Sequence, residues 1–295
     1  MSSVEVKPEQ SVARCTVRLE CGVKGHPASS YGTGFFYNVA DKHDRRSIYI
    51  LTNRHVVNRN DYVEFVISGA KSASDFTQRG QPINRVDLKH HVDLYDTTNT
   101  IHDSLILHPD PNIDLCAINI TNIISSRLAQ HNLRIQFLDN SWLATSKDKM
   151  CDVEQIISAG YPASLWDEYN NMPIARVGFT STNPSAYYQG KKDFVMDMAI
   201  IEGASGSPVF HYQRKIYENE EGGSSFGTKT TLIGVVWGCI TRTDRNEVKI
   251  INIPTSSKPV VDSKYPMNLG LALHADLILD IEKIILERMY KIELA

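Results

Sequence analysis

Little in this 295-residue sequence points to nucleic acid or to a membrane. Lys and Arg number 31 against 34 Asp and Glu, a formal net charge of -3. Both signs are scattered along the chain, so there is no basic field to draw a polyanion. No stretch reaches the roughly 18 apolar residues needed to cross a bilayer, and runs such as 232–236 stop after a few positions. Residues 1–10 carry Glu5, Lys7 and Glu9 where a secretory leader needs a basic start and an unbroken apolar stretch. A cytoplasmic protein is expected.

Cysteine is scarce too. Cys15, Cys21, Cys116, Cys151 and Cys239 are odd in number and lack C-x-x-C spacing, which argues against a disulfide framework and favours free, buried thiols. His90, His91, His102 and His108 lie in one region without the i, i+4 pairing or Cys/His spacing of a zinc site, and read as polar residues at strand edges. Gly32-Thr33-Gly34 lacks the following x-x-Gly and helix of a dinucleotide fingerprint. No metal or cofactor is expected.

What is present is mostly short strands. Segments 14–20, 34–39, 47–52, 62–67 and 101–107 set β-branched and aromatic residues between turn formers, and similar runs return at 153–159, 175–181, 193–201, 231–237, 247–253 and 269–273. Between the two sets, 122–131 has apolar residues at helical intervals. The tail from 275 to 293 places Leu277, Ile278, Ile281, Ile284, Ile285 and Met289 on one helical face. The expected order is an N-terminal extension (1–12), a first lobe (13–121), a connector (122–150), a second lobe (151–274) and a C-terminal helix (275–295). Residues 212–229 and 254–266 read as long surface loops. The first of these begins just after Ser205 and is a candidate site for a regulatory protein partner.

Three segments carry chemistry. In Gly203-Ala204-Ser205-Gly206-Ser207-Pro208, small residues surround a serine, as a nucleophile requires if a carbonyl is to reach its hydroxyl while backbone N–H groups face the developing oxyanion. A Gly/Ser turn between strands would look the same. In Thr52-Asn53-Arg54-His55-Val56-Val57, a histidine follows a buried-looking strand whose end is a rigid mount for a general base. Asp114, before Leu115-Cys116-Ala117-Ile118, is an acid entering an apolar run. Its burial needs a partner, and the second imidazole nitrogen would supply one; alternatively Asp114 opens the strand and faces water. The chain order His, Asp, Ser differs from the Ser, acid, His of α/β-hydrolases, and Ser207 stands where their G-x-S-x-G elbow needs glycine.

These segments resemble the three signatures of trypsin-like serine proteases, nearest to the bacterial HtrA type without its PDZ segment, over roughly 13–285. The resemblance implies an all-β fold of two six-stranded antiparallel barrels closed by a C-terminal helix, with His55, Asp114 and Ser205 as catalytic triad. It also implies an oxyanion hole from the N–H groups of Gly203 and Ser205, and a primary pocket formed by Ala199 on one strand and Val236, Trp237 and Gly238 on another. The family pattern puts the reactive hydroxyl on Ser205 rather than Ser207. No acid stands at Ala199, so a small or medium apolar P1 side chain is expected. The implied activity is endopeptidic hydrolysis of polypeptides through an acyl-enzyme. The competing reading is a protease-like scaffold, inactive or held closed until a partner binds.

Overall fold

The computed structural model describes residues 12–70, 85–95, 100–128, 131–133, 135–218, 224–247 and 260–293. In the first half the strands are β1 (Thr16–Gly22), β2 (Ser30–Ala40), β3 (Arg46–Thr52), β4 (Tyr62–Ala70), β5 (Arg85–Asp93), β6 (Leu105–Leu107), β7 (Cys116–Asn119) and β8 (Asn132–Leu133). They form one eight-stranded sheet in the order β5-β4-β1-β2-β3-β7-β6, with β8 added to the end of β4. The expected six strands become eight because Arg85–Asp93 pairs along the whole of β4 and Asn132–Leu133 pairs with Gly69 and Ala70; each satisfies backbone groups that burial would otherwise orphan. Strand β5, with its period-two alternation (Val86, Leu88, His90, Val92), was not among the expected runs.

The second half contributes β9 (Gln155–Gly160), β10 (Ile174–Thr180), β11 (Asp193–Asp197), β12 (Pro208–Glu218), β13 (Ser224–Glu247) and β14 (Val260–His274). These close into a six-stranded barrel in the order β10-β11-β14-β13-β12-β9. The mostly β architecture, one sheet and one closed barrel followed by a helix, is chymotrypsin-like. Helix α1 (Arg54–Val57) follows β3, α2 (Thr121–Leu128) follows β7, and α3 (Ile278–Glu293) ends the described chain.

Within the expected loop at 212–229, residues 213–218 and 224–229 are instead paired strands, from Gln213↔Lys229 to Glu218↔Ser224, while 219–223 lie outside the described residues. β-branched residues in Thr228-Lys229-Thr230-Thr231 favour extension over the coil that the Glu, Gly and Ser content implied. Any partner at this place would therefore meet a paired hairpin. In the second expected loop, residues 260–266 belong to β14 and pair with β13, while 254–259 lie outside the described residues. Residues 248–253 of the expected strand 247–253 also lie outside them.

Two apolar clusters fill the sheet and the barrel, one around Leu19, Ile50, Phe65 and Ile118, the other around Phe194, Met196, Ile233 and Val236. A third joins them: Tyr37, Leu51, Ala117 and Leu138 pack with Ala159, Phe210, Leu232 and Leu273, and Leu277, Ile278, Ile281 and Ile285 of the tail enter the same cluster. The helical face read from sequence is the face that packs. Glu282 interrupts it, nearly buried, and accepts hydrogen bonds from the Tyr37 hydroxyl at 3.0 Å and from Asn140 Nδ2 at 3.2 Å. Burial, and then the Glu282 carboxylate, push the tyrosine pKa up, so its hydroxyl remains a donor into the alkaline range. Tyr37→Phe strips the carboxylate of one of these two donors and is expected to cost about 1–3 kcal/mol, read as a lower urea midpoint at unchanged slope.

The five cysteines are free, but the expectation of burial holds only for Cys15, Cys21 and Cys116: Cys239 is half-buried and Cys151 is exposed before the first barrel strand. Two of the four histidines are buried rather than exposed at strand edges, although His90 does lie on β5 at the end of the sheet. His90 is buried against Phe65, and His108 is buried with Nε2 3.4 Å from Asp280 of α3.

Candidate active site

Strand β3 ends in an apolar run, Ile48 to Leu51, whose inward residues anchor it in the sheet. Antiparallel pairing sets Thr52 opposite Cys116, so the residues after Thr52 run beside those before Cys116. That register brings Asp114 to His55. The backbone N–H of His55 donates to Asp114 Oδ1 at 2.8 Å, and the imidazole Nδ1 lies 2.5 Å from Oδ2. A carboxylate only accepts, so Nδ1 carries the proton and Nε2 of the neutral ring is left as a free base. The imidazole side chain is 48% exposed and that of Asp114 24%, so the ring is open to an incoming molecule while the carboxylate is mostly covered.

Asn53, which sequence reading passed over, holds this pair together. It occupies the N-cap position of α1 in extended backbone but makes no side-chain cap bond. Its Nδ2 instead donates to the Asp114 carbonyl at 2.8 Å.

The serine lies in a turn between β11 and β12. Gly203 and Gly206 have φ of +84° and +88°, conformations that side chains disfavour. The space is closed as well: a Cβ on Gly206 would stand 2.0 Å from the Thr33 carbonyl oxygen, and one on Gly203 2.5 Å from that of Tyr161. Within the turn Ala204 N–H donates to Ile201 O at 3.1 Å, Gly206 N–H to Val236 O at 2.8 Å and Ser207 N–H to Ala204 O at 3.1 Å. Among the described residues, the N–H groups of Gly203 and Ser205 donate to no backbone carbonyl.

Thr33 of β2 ties this turn to the sheet. Its N–H donates to Ser205 O at 2.8 Å, its hydroxyl donates to Gly203 O at 2.9 Å and accepts from Tyr161 N–H at 3.1 Å, and its carbonyl accepts from Thr52 Oγ1 at 2.7 Å. One threonine thus links the serine turn to the strand that leads into His55. The only sequence signal was the Gly32-Thr33-Gly34 triplet, which has no local pattern that would assign such a role. Gly206→Ala is expected to cost about 3 kcal/mol, since it combines a left-handed alanine with a backbone collision; a lowered melting midpoint would report it.

The sequence-derived candidates come together unevenly. His55 and Asp114 are in direct contact, and the Ser205 turn is bonded to the neighbouring strands, but no hydrogen bond joins Ser205 to His55 among the described residues. Ser207 is buried, its Oγ has no partner, and a Cβ on Gly160 would stand 2.1 Å from it, so it lies under the turn rather than at its open side. Val236 is buried and exchanges backbone bonds with the serine turn, while Ala199, Trp237 and Gly238 are half-buried. A Cβ on Gly238 would meet nothing within 4 Å.

A solved structure of a serine endoprotease from Yersinia pestis matches with TM-score 0.47 and 15% identity, covering 97% of this chain and 68% of that one. No curated protein matches. Residues 32–217 match the family described as the trypsin-like peptidase domain, a span that includes all three segments singled out above. The chain belongs to that family of peptidases.

Proposed function

We propose that this chain is a serine endopeptidase acting through His55, Asp114 and Ser205. Ser205 Oγ attacks the scissile carbonyl as His55 Nε2 takes its proton, and the N–H groups of Gly203 and Ser205 receive the oxyanion. The imidazolium, held by Asp114, returns the proton to the departing amine and leaves an acyl-enzyme. A water then repeats the sequence, giving its proton to His55 and releasing the acid with Ser205 restored. The observation that carries this reading is the double contact of His55 on Asp114, which fixes the tautomer that a base needs. The missing Ser205–His55 bond is compatible with it, because such bonds tighten when substrate is bound.

A fluorophosphonate probe tests the proposal. Unaltered protein is expected to be labelled covalently, and Ser205→Ala is expected not to be. A folded protein that takes no label, alone or in lysate, would support the scaffold reading instead.

A further inference from the structure

Arg176 lies on β10, where Gly178 and Thr180 on the same face are buried and Ala175, Val177 and Phe179 on the opposite face are exposed. Its position is thus on the barrel's inner side, and its guanidinium Nη1 donates to the carbonyl of Ala199. Ala199 belongs to the segment that leads from β11 to Ser205, and Met198 and Ile200 on either side of it are buried in the apolar cluster of the barrel. No carboxylate among the described residues pairs with Arg176, although Asp197 and Glu202 stand exposed in the same segment. A half-buried cation is therefore fixed against one wall of the candidate primary pocket, with one donor spent on a neutral carbonyl and the rest of a five-donor fork not engaged by any acid.

A carboxylate matches the unengaged part of the fork in geometry as well as sign. Lys or Arg in the same place would meet like charge, and an apolar side chain would leave the donors unanswered. We propose that the enzyme cleaves on the carboxyl side of aspartate or glutamate, and that Arg176 is the residue selecting for it. This revises the expectation of an apolar P1, which followed from the missing acid at Ala199 and could not foresee a cation delivered from another strand. The inference rests on the serine-peptidase reading above.

The test compares fluorogenic peptides that differ only at P1, carrying Glu, Gln, Asp, Asn, Leu or Lys, with the full chain. Glu over Gln and Asp over Asn are expected to differ by about 10-fold or more in kcat/KM. Arg176→Met is expected to bring both ratios near one, and Arg176→Lys to restore part of the preference. The Glu/Gln ratio of the unaltered protein stands by itself if the Met variant fails to fold. Fluorophosphonate labelling separates the two levels: a labelled enzyme with equal Glu and Gln rates overturns the P1 assignment and leaves the peptidase reading intact. An unlabelled, inactive protein overturns both. An acid preference that survives in a folded Arg176→Met variant removes Arg176 from the role.

Discussion

Replacing either Ser205 or His55 by alanine is expected to lower kcat for peptide hydrolysis by about 10⁶-fold, and replacing both is expected to cost little more. The reason lies in how the proposed groups act. The serine hydroxyl attacks effectively only while its proton has somewhere to go, and the imidazole accomplishes nothing without a nucleophile to deprotonate. Each therefore loses its value when the other is gone. Losses that simply multiplied would mean two independent contributions, a result at odds with a triad. Single-turnover kinetics on the three variants, with melting curves to establish that each is folded, would measure this.

Asp114→Asn is expected to lower kcat by about 10⁴-fold while leaving the protein folded. Both carboxylate oxygens accept from donors on one residue, Oδ1 from the His55 main-chain N–H and Oδ2 from the ring Nδ1. An asparagine supplies only one acceptor and must turn its NH2 toward one of those sites. The main-chain N–H cannot change its nature, whereas the ring can move its proton. The amide should therefore face Nδ1, forcing the proton onto Nε2, where it blocks acceptance from Ser205. A pH profile of kcat is the discriminating readout. A neutral imidazole keeps its one remaining proton through the accessible pH range, so the loss in Asp114→Asn should persist at every pH where the unaltered protein is active.

Much of the site could be read from residues because its carriers sit where strands stop. His55 follows an apolar strand, Asp114 precedes another, and the glycines around Ser205 announce backbone that side chains cannot adopt. The antiparallel fold and the tail helix were legible for the same reason: their periodicities are local. What escaped depends on partners distant in sequence. Thr33 reaches Gly203 across 170 positions, and Asn53 reaches Asp114 across 61; the Gly32–Gly34 triplet and the His55 segment contain them, but neither pattern names a partner so far along the chain. Arg176 looked like an ordinary strand residue until the barrel closed and brought β10 toward Ala199. The paired strands within 212–229 were misread because the Glu, Gly and Ser content there outweighed a pattern that only cross-strand pairing makes decisive.

The packing of α3 has a consequence for inheritance of damage within the molecule. The proposed base and its acid are borne by one half of the chain and the proposed nucleophile by the other, yet helix α3 is seated in the apolar mass that both halves share. Loosening that remote tail would let the halves drift and pull the reactive atoms apart without altering one of them.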